Sequence, residues 1–139
     1  MIYLIDTNVC VRYLRTPLSP VAQKLAATSP TEIALSVITV AELVRGAYRS
    51  LKVTDNLDQV NTLVAQFTCL SLDQIAAAHA GRIDAELIAR GLRIGPYDTL
   101  IAAIALAHDL TLVTHNTGEF SRVAGLRLED WEVDGETNQ

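Results

Sequence analysis

Hydrophobic positions along this chain follow two rhythms. Short apolar runs with β-branched or aromatic members stand apart from one another at Ile2–Ile5, Glu32–Thr39, Thr68–Leu72 and Thr111–Thr114. Runs of this length predict strands, and an unbroken apolar run predicts a strand covered on both faces, as in parallel sheets. Between them the period lengthens. Leu57, Val60, Leu63, Val64 and Phe67 recur at steps of three and four, which predicts an amphipathic helix. Other helices are expected over Val9–Arg15, from Pro20 to about Thr28, from Thr39 to about Arg49, from Asp73 to near Arg90, and over Thr99–His108. The last of these is apolar on nearly all sides, so it belongs inside the molecule.

Local signals punctuate these elements. Thr16-Pro17 stops the first helix, because the residue before proline avoids the helical region. Ser19-Pro20 supplies an N-cap and a first-turn proline. Thr54 or Asp55 is expected to cap the Leu57 helix, Asp73 the next, and Gly91 to end it. His115–Ser121 reads as a polar loop, and Leu126–Leu128 as a short edge strand. Strands alternating with helices, without tight hairpins, predict an α/β fold. Its core is a mostly parallel sheet of four to five strands, with helices on both faces and right-handed crossovers.

Bulk properties narrow the class. A chain of 139 residues with half of them hydrophobic suits one domain with a real core. That domain is expected over residues 1–131, followed by an acidic, flexible tail at 132–139. The net charge of -5 comes from that end: Glu129, Asp130, Glu132, Asp134 and Glu136 hold five of the 16 acids, while the rest balance the 11 Lys and Arg. A neutral body is not the basic surface that advertises a nucleic-acid binder. No apolar run reaches transmembrane length, and the N-terminus lacks a signal-peptide pattern, so a cytoplasmic protein is expected. Cys10 and Cys69 sit in apolar contexts and read as reduced, buried thiols. Trp131 is expected to pack the C-terminal end onto the body.

Candidate chemistry gathers at strand ends. Asp6 follows the first strand, Glu42 the second, and Asn116 and Glu119 the fourth. In a parallel sheet these share one edge, where open α/β sheets bind ligands. Asp98, at the start of the helix entering the fourth strand, reaches the same edge. Carboxylates brought together repel each other unless a cation joins them. Oxygen donors without a Cys or His cluster favour a hard ion, Mg²⁺ or Mn²⁺, and such an ion supports phosphodiester hydrolysis. Each acid also has a plainer reading. Asp6 suits an N-cap as well as an active acid, Thr39-x-x-Glu42 fits a capping box, and Asp98 favours a helix dipole. Arg45, Arg49 and Lys52 follow Glu42 at helical spacing, as a phosphate-binding stripe or as a solvated face. His79 and His108 read as packing or surface residues, and His115 could touch substrate.

Four stretches carry a family resemblance: Leu4–Asn8 (LIDTN), Ser36–Leu43 (SVITVAEL), Ile94–Ala103 (IGPYDTLIAA) and Thr111–Phe120 (TLVTHNTGEF). Their order and spacing resemble the PIN-domain ribonucleases, in particular the VapC toxins of toxin–antitoxin pairs, over residues 1 to about 131. The resemblance implies a Mg²⁺- or Mn²⁺-dependent endoribonuclease whose metal ligands correspond to Asp6, Glu42 and Asp98. Asn116 and Glu119 then complete the catalytic set, and Thr7, Arg45, Arg49, Thr114 and His115 are candidates for substrate contact. It further implies a homodimer, and a cognate VapB-type antitoxin whose C-terminal segment enters the acidic groove. The substrate it suggests is tRNA, with the initiator tRNA anticodon loop the closest parallel. One departure stands out. Many PIN domains carry an Asp two residues after the Thr that ends the fourth strand, where this chain has Asn116; Glu119 is placed to supply the acid instead. With Thr7 and Asn8 available to cap the first helix, Asp6 is expected to be free for the ion.

Two other functions compete. A phosphatase with Asp6 as covalent nucleophile wants a second Asp two residues on, where this chain has Asn8. A non-catalytic protein-binding module would use its acids only as caps.

Overall fold

The computed structural model describes residues 1–132. Among these, five strands form one sheet: β1 (Tyr3–Ile5), β2 (Ile33–Ser36), β3 (Thr68–Leu70), β4 (Thr111–Val113) and β5 (Leu128–Glu129). The order is β3-β2-β1-β4-β5, with every neighbouring pair parallel. The helices are α1 (Thr7–Arg15), α2 (Pro20–Ala27), α3 (Val37–Tyr48), α4 (Val53–Ala65), α5 (Gln74–Ala89), α6 (Pro96–Ala107) and α7 (Thr117–Phe120).

The period-2 alternation of strand side chains splits the core in two. Leu4, Ala34, Leu70 and Leu112 face α5 and α6, packing on Ile83, Leu87 and Ile101. Ile5, Ile33, Leu35 and Val113 face the other way, toward Val9 of α1, Leu43 of α3 and Leu63 of α4. Both sheet faces are therefore covered, as the unbroken apolar strands predict. α6 is buried continuously from Ile101 to Ala105. α5 begins where Asp73 accepts from the Ala76 amide at 2.9 Å. It ends at Gly91, whose φ of +66° lets Leu92 N–H reach back to Leu87 O at 2.9 Å. Trp131, 3% exposed, closes the lower core: its ring meets Tyr3 edge-on at 5.1 Å, and Lys24 Nζ lies 5.5 Å from its centroid.

Several boundaries differ from the sequence reading, each for a local reason. The second strand ends at Ser36 instead of Thr39, because Ser36 Oγ accepts from the Thr39 amide at 3.1 Å and turns Val37–Thr39 into helix. α1 starts at Thr7, capped by Asp6. Neither Thr54 nor Asp55 caps α4; the helix begins earlier, behind Lys52, with no side-chain cap. Part of the His115–Ser121 loop is the single-turn α7, and the edge strand falls at Leu128–Glu129. Cys10 is buried, but Cys69 on the outer strand β3 is exposed, and both are free thiols. Glu132, assigned to the tail, is tied to Arg12 Nε at 2.8 Å. The rest of the expected flexible tail, residues 133–139, lies outside the described residues.

From β1 the chain steps outward to β2 and β3, then returns to the other side of β1 for β4 and β5. The winding direction therefore reverses between β1 and β4. Helices leave the sheet on opposite faces at such a switch point, and a crevice opens beyond the strand ends.

Candidate active site

Asp6 occupies that crevice. Its amide continues the sheet by donating to Val113 O at 3.1 Å, which fixes its backbone beside the end of β4. The side chain is 3% exposed. Oδ1 accepts from the Val9 amide at 2.9 Å, so Asp6 itself is the N-cap of α1. Thr7 and Asn8 do not take that role, contrary to expectation. Capping and chemistry are compatible here, since a carboxylate has two oxygens and the amide uses one. Burial pushes the Asp6 carboxyl upward, against the Thr114 hydroxyl and the Val9 and Asn8 amides that favour its charged form; the nearby Glu42 pushes it further up.

Thr7 is occupied elsewhere. Its Oγ1 lies 2.6 Å from Glu42 Oε1 and 3.1 Å from Thr39 Oγ1. Thr7 Oγ1 is placed to donate to either acceptor, and its single hydroxyl proton serves the shorter contact, to Glu42. Ser36 Oγ lies 3.4 Å behind Thr39 Oγ1. Ser36, Thr39 and Thr7 thus form a polar file that ends on the Glu42 carboxylate. This removes the capping-box reading: Thr39 sits inside α3 behind Ser36, and Glu42 lies a turn too far along to reach the helix start.

Asp98 enters from α6. Gly95 and Pro96 set the helix start, and Thr99 Oγ1 anchors to Gly95 O at 3.1 Å. The half-buried Asp98 carboxyl is raised to about 6, first by burial, then by the negative charges of Glu119, Asp6 and Glu42, with Glu119 close enough to hydrogen-bond to it. Four acids from four separate elements therefore act on one another. On α7, Asn116 Nδ2 donates to Glu119 Oε2 at 3.0 Å, while its amide donates to Thr114 Oγ1 at 2.9 Å. Asn116 holds Glu119 in place toward Asp98. Among the described residues no three of these acids close into a ready-made cage.

The remaining candidates lie on the rim. Arg45 Nη2 is 3.8 Å from Glu42 Oε2. Arg49, the C-cap residue of α3, is exposed. His115 Nδ1 meets Asp130 Oδ2 at 3.0 Å with its side chain mostly exposed, at the outer edge of the crevice. His108 is exposed, and His79 Nδ1 faces Arg82 Nη2 at 3.1 Å on α5, away from the acids.

Four stretches that the topology brings to one crevice define this site, and they are matched as a set. The PIN domain profile matches residues 3–126. The tRNA(fMet)-specific endonuclease VapC of Shigella flexneri is 36% identical over 129 residues, spanning 93% of this chain and 97% of the relative. The chain belongs to the PIN-domain family, in its VapC branch. Ribonuclease VapC2 of Rickettsia felis is 34% identical over 133 residues, spanning 95% of this chain and 99% of the relative. A crystal structure of DNA-bound VapBC from Salmonella typhimurium superposes with a TM-score of 0.89 at 35% identity, covering 94% of this chain and 98% of that one.

In this PIN domain the sequence reading missed Ser36, Tyr97 and Asp130, and took Thr39 for the helix cap. Ser36-x-x-Thr39 is itself a cap pattern, and would have moved the helix start three residues earlier had it been weighed against Thr39-x-x-Glu42. Tyr97 and Asp130 carry no comparable local signal; only their spatial neighbours single them out.

Proposed function

We propose that this VapC-type PIN domain is a toxin endoribonuclease that hydrolyses RNA phosphodiester bonds with Mg²⁺ or Mn²⁺. Its substrate is tRNA, cut in the anticodon loop of the initiator species. The observation that carries the reading is the convergence of Asp6, Glu42, Asp98 and Glu119 on the switch-point crevice, where burial and neighbouring acids push the Asp6 and Asp98 carboxyls up. Clustered carboxylates oppose folding unless protons or a cation join them, and an all-oxygen donor set fits a hard divalent ion. Asp6, Glu42 and Asp98 would hold that ion; when bound it supplies Lewis acidity and favours deprotonation of water.

The chain's own residues have definable parts. Asp6 offers the oxygen not used by Val9, on a backbone fixed by β4. Glu42 is oriented by Thr7, and Glu119 by Asn116, which places the acid that the amide at 116 does not provide. In the reaction, water oxygen bonds to phosphorus, the phosphorus–ribose oxygen bond breaks, and the leaving oxygen takes a proton. His115 lies on the β4 side of the path, Arg45 and Arg49 on the α3 side; Thr114, expected to touch substrate, is fully buried and instead supports Asp6 and Asn116 from behind. The name of the Shigella relative supports tRNA as substrate. The VapBC complex of Salmonella typhimurium supports a VapB-type antitoxin partner. Val11, Leu14, Leu43, Ala47 and Val60 line a groove between α1, α3 and α4 that ends at Glu42, where a partner segment could enter the acids.

The test is incubation of the full chain with total RNA and Mg²⁺, followed by mapping of the cut ends. Discrete cuts in tRNA, absent with Asp98→Asn, are expected. Undegraded RNA with the wild-type chain, under conditions where the divalent ion binds, would refute the ribonuclease reading; cuts confined to another RNA would refute the tRNA assignment alone.

A further inference from the structure

The first turn of α6 carries a large side chain that the acids do not use. Tyr97 immediately precedes Asp98, is 46% exposed, and joins neither core cluster, although the rest of α6 is the most buried helix. The Arg45 guanidinium carbon stands 5.5 Å from the Tyr97 ring centroid. Arg45 Nη2 is also 3.8 Å from Glu42 Oε2. One planar cation therefore joins the acid crevice to an exposed aromatic ring. Beyond it, Tyr48 and Arg49 are exposed on the same helix, and Lys52 follows its end.

We propose that Tyr97 and Arg45 form a stacking platform for one unpaired RNA base beside the acids, with Arg49 and Lys52 contacting the adjoining phosphates. The inference deepens the ribonuclease reading and rests on it. Aromatic rings and guanidinium planes stack bases that are splayed out of a helix, whereas bases inside a duplex are not available to them. The platform thus selects single-stranded segments such as loops. Charge makes a local device necessary. The body is neutral and the crevice is negative, so long-range attraction adds little to RNA affinity, and contacts at the crevice rim must supply it. Arg at position 45 suits both tasks, being planar for stacking and forked for phosphate; Lys would serve only as a point charge.

The experiment uses the full chain and a single-stranded RNA oligonucleotide carrying 2-aminopurine, whose fluorescence falls on stacking. Binding is measured without divalent ion, and cleavage of the same oligonucleotide with Mg²⁺. Quenching at one position is expected with the wild-type chain and not with the duplexed oligonucleotide. Tyr97→Leu is expected to lose the quenching and weaken binding about ten-fold or more, with the cleavage defect falling on KM. Tyr97→Phe restores both. Arg45→Lys weakens binding less than Tyr97→Leu while leaving its salt dependence unchanged. Thermal melting of each variant controls for folding, and Arg45→Lys carries the test should Tyr97→Leu not fold. Wild-type binding and quenching in folded Tyr97→Leu, or equal affinity for the duplex, would overturn the proposal. Asp6→Asn separates the two readings: it should bind and quench but not cleave. Cleavage by that variant would refute the acid site and leave the platform standing on its own quenching result.

Discussion

The Thr7 hydroxyl donates to Glu42 Oε1 across 2.6 Å, tying the first turn of α1 to the second turn of α3. The two residues are 35 positions apart, yet one hydrogen bond sets the direction of a carboxylate that its own helix does not orient. Ser36 and Thr39, both fully buried, stand behind it, and among the described residues no buried side-chain polar atom lacks a partner.

Removing that donor tests the arrangement. Thr7→Val keeps the shape of the side chain and leaves Glu42 without its anchor, while Thr7→Ser keeps the proton. A hydrogen bond to a charged group contributes about 1.5–3 kcal/mol. Thr7→Val should therefore lower RNA cleavage by about ten-fold or more, and Thr7→Ser should restore most of it. Steady-state cleavage assays of both variants, with melting temperatures alongside, decide the matter.

Asp6 serves as cap and as acid, and two substitutions separate the roles. Asn is as good an N-cap as Asp and removes a buried, repelled charge, so Asp6→Asn should raise the melting temperature of the metal-free protein at neutral pH and abolish cleavage. Asp6→Ala should abolish cleavage and also cost about 1 kcal/mol of stability through loss of the Val9 bond. Denaturant unfolding of both variants measures the difference.

The raised carboxyls give a pH dependence of definite sign. Asp98 is lifted from 3.8 to about 6 in the folded chain, and Asp6 is shifted in the same direction. A carboxyl with a higher value folded than unfolded binds its proton more tightly in the native state. Its stabilising effect is complete below 3.8 and disappears as pH rises through about 6. Without divalent ion, the stability contributed by Asp98 should fall between pH 3.8 and about 6 and be absent at neutral pH. Added Mg²⁺ or Mn²⁺ should raise the melting temperature at pH 7.5 more than at pH 5, and Asp98→Asn should flatten both responses. Scanning fluorimetry across this range, with and without the ion, would contradict the cluster if wild type and Asp98→Asn behaved alike.

Trp131 anchors the C-terminal end, between Tyr3 of the central strand and Lys24 of α2. Trp131→Ala should destabilise the protein by about 3–5 kcal/mol, the range for loss of a buried large aromatic. Because Trp131 lies beyond β5 and away from the acids, cleavage per folded molecule should survive at low temperature. Unfolding midpoints and activity at two temperatures separate these effects.

Much of this protein is written in short windows of its sequence. The strand-helix alternation, the buried character of α6, the Ser19, Asp73 and Gly91 boundaries and the acids at strand ends are all local patterns, governed by periodicity, capping and backbone freedom. Local competition produced the misreadings. Ser36 and Thr39 can both cap a helix, and only the burial of both at the end of β2 decides that Ser36 accepts from the Thr39 amide. Cys69 shares its apolar context with buried residues, but β3 is the edge of the sheet, and edge position is a property of strand order. The tertiary structure alone decided how the acids divide their labour. Sequence distance says nothing about Thr7 meeting Glu42, Asn116 turning Glu119 toward Asp98, or Arg45 bridging Glu42 and Tyr97. Those pairings follow from the reversal of winding at β1 and β4, which brings four remote segments into one crevice and lets their charges act at short range.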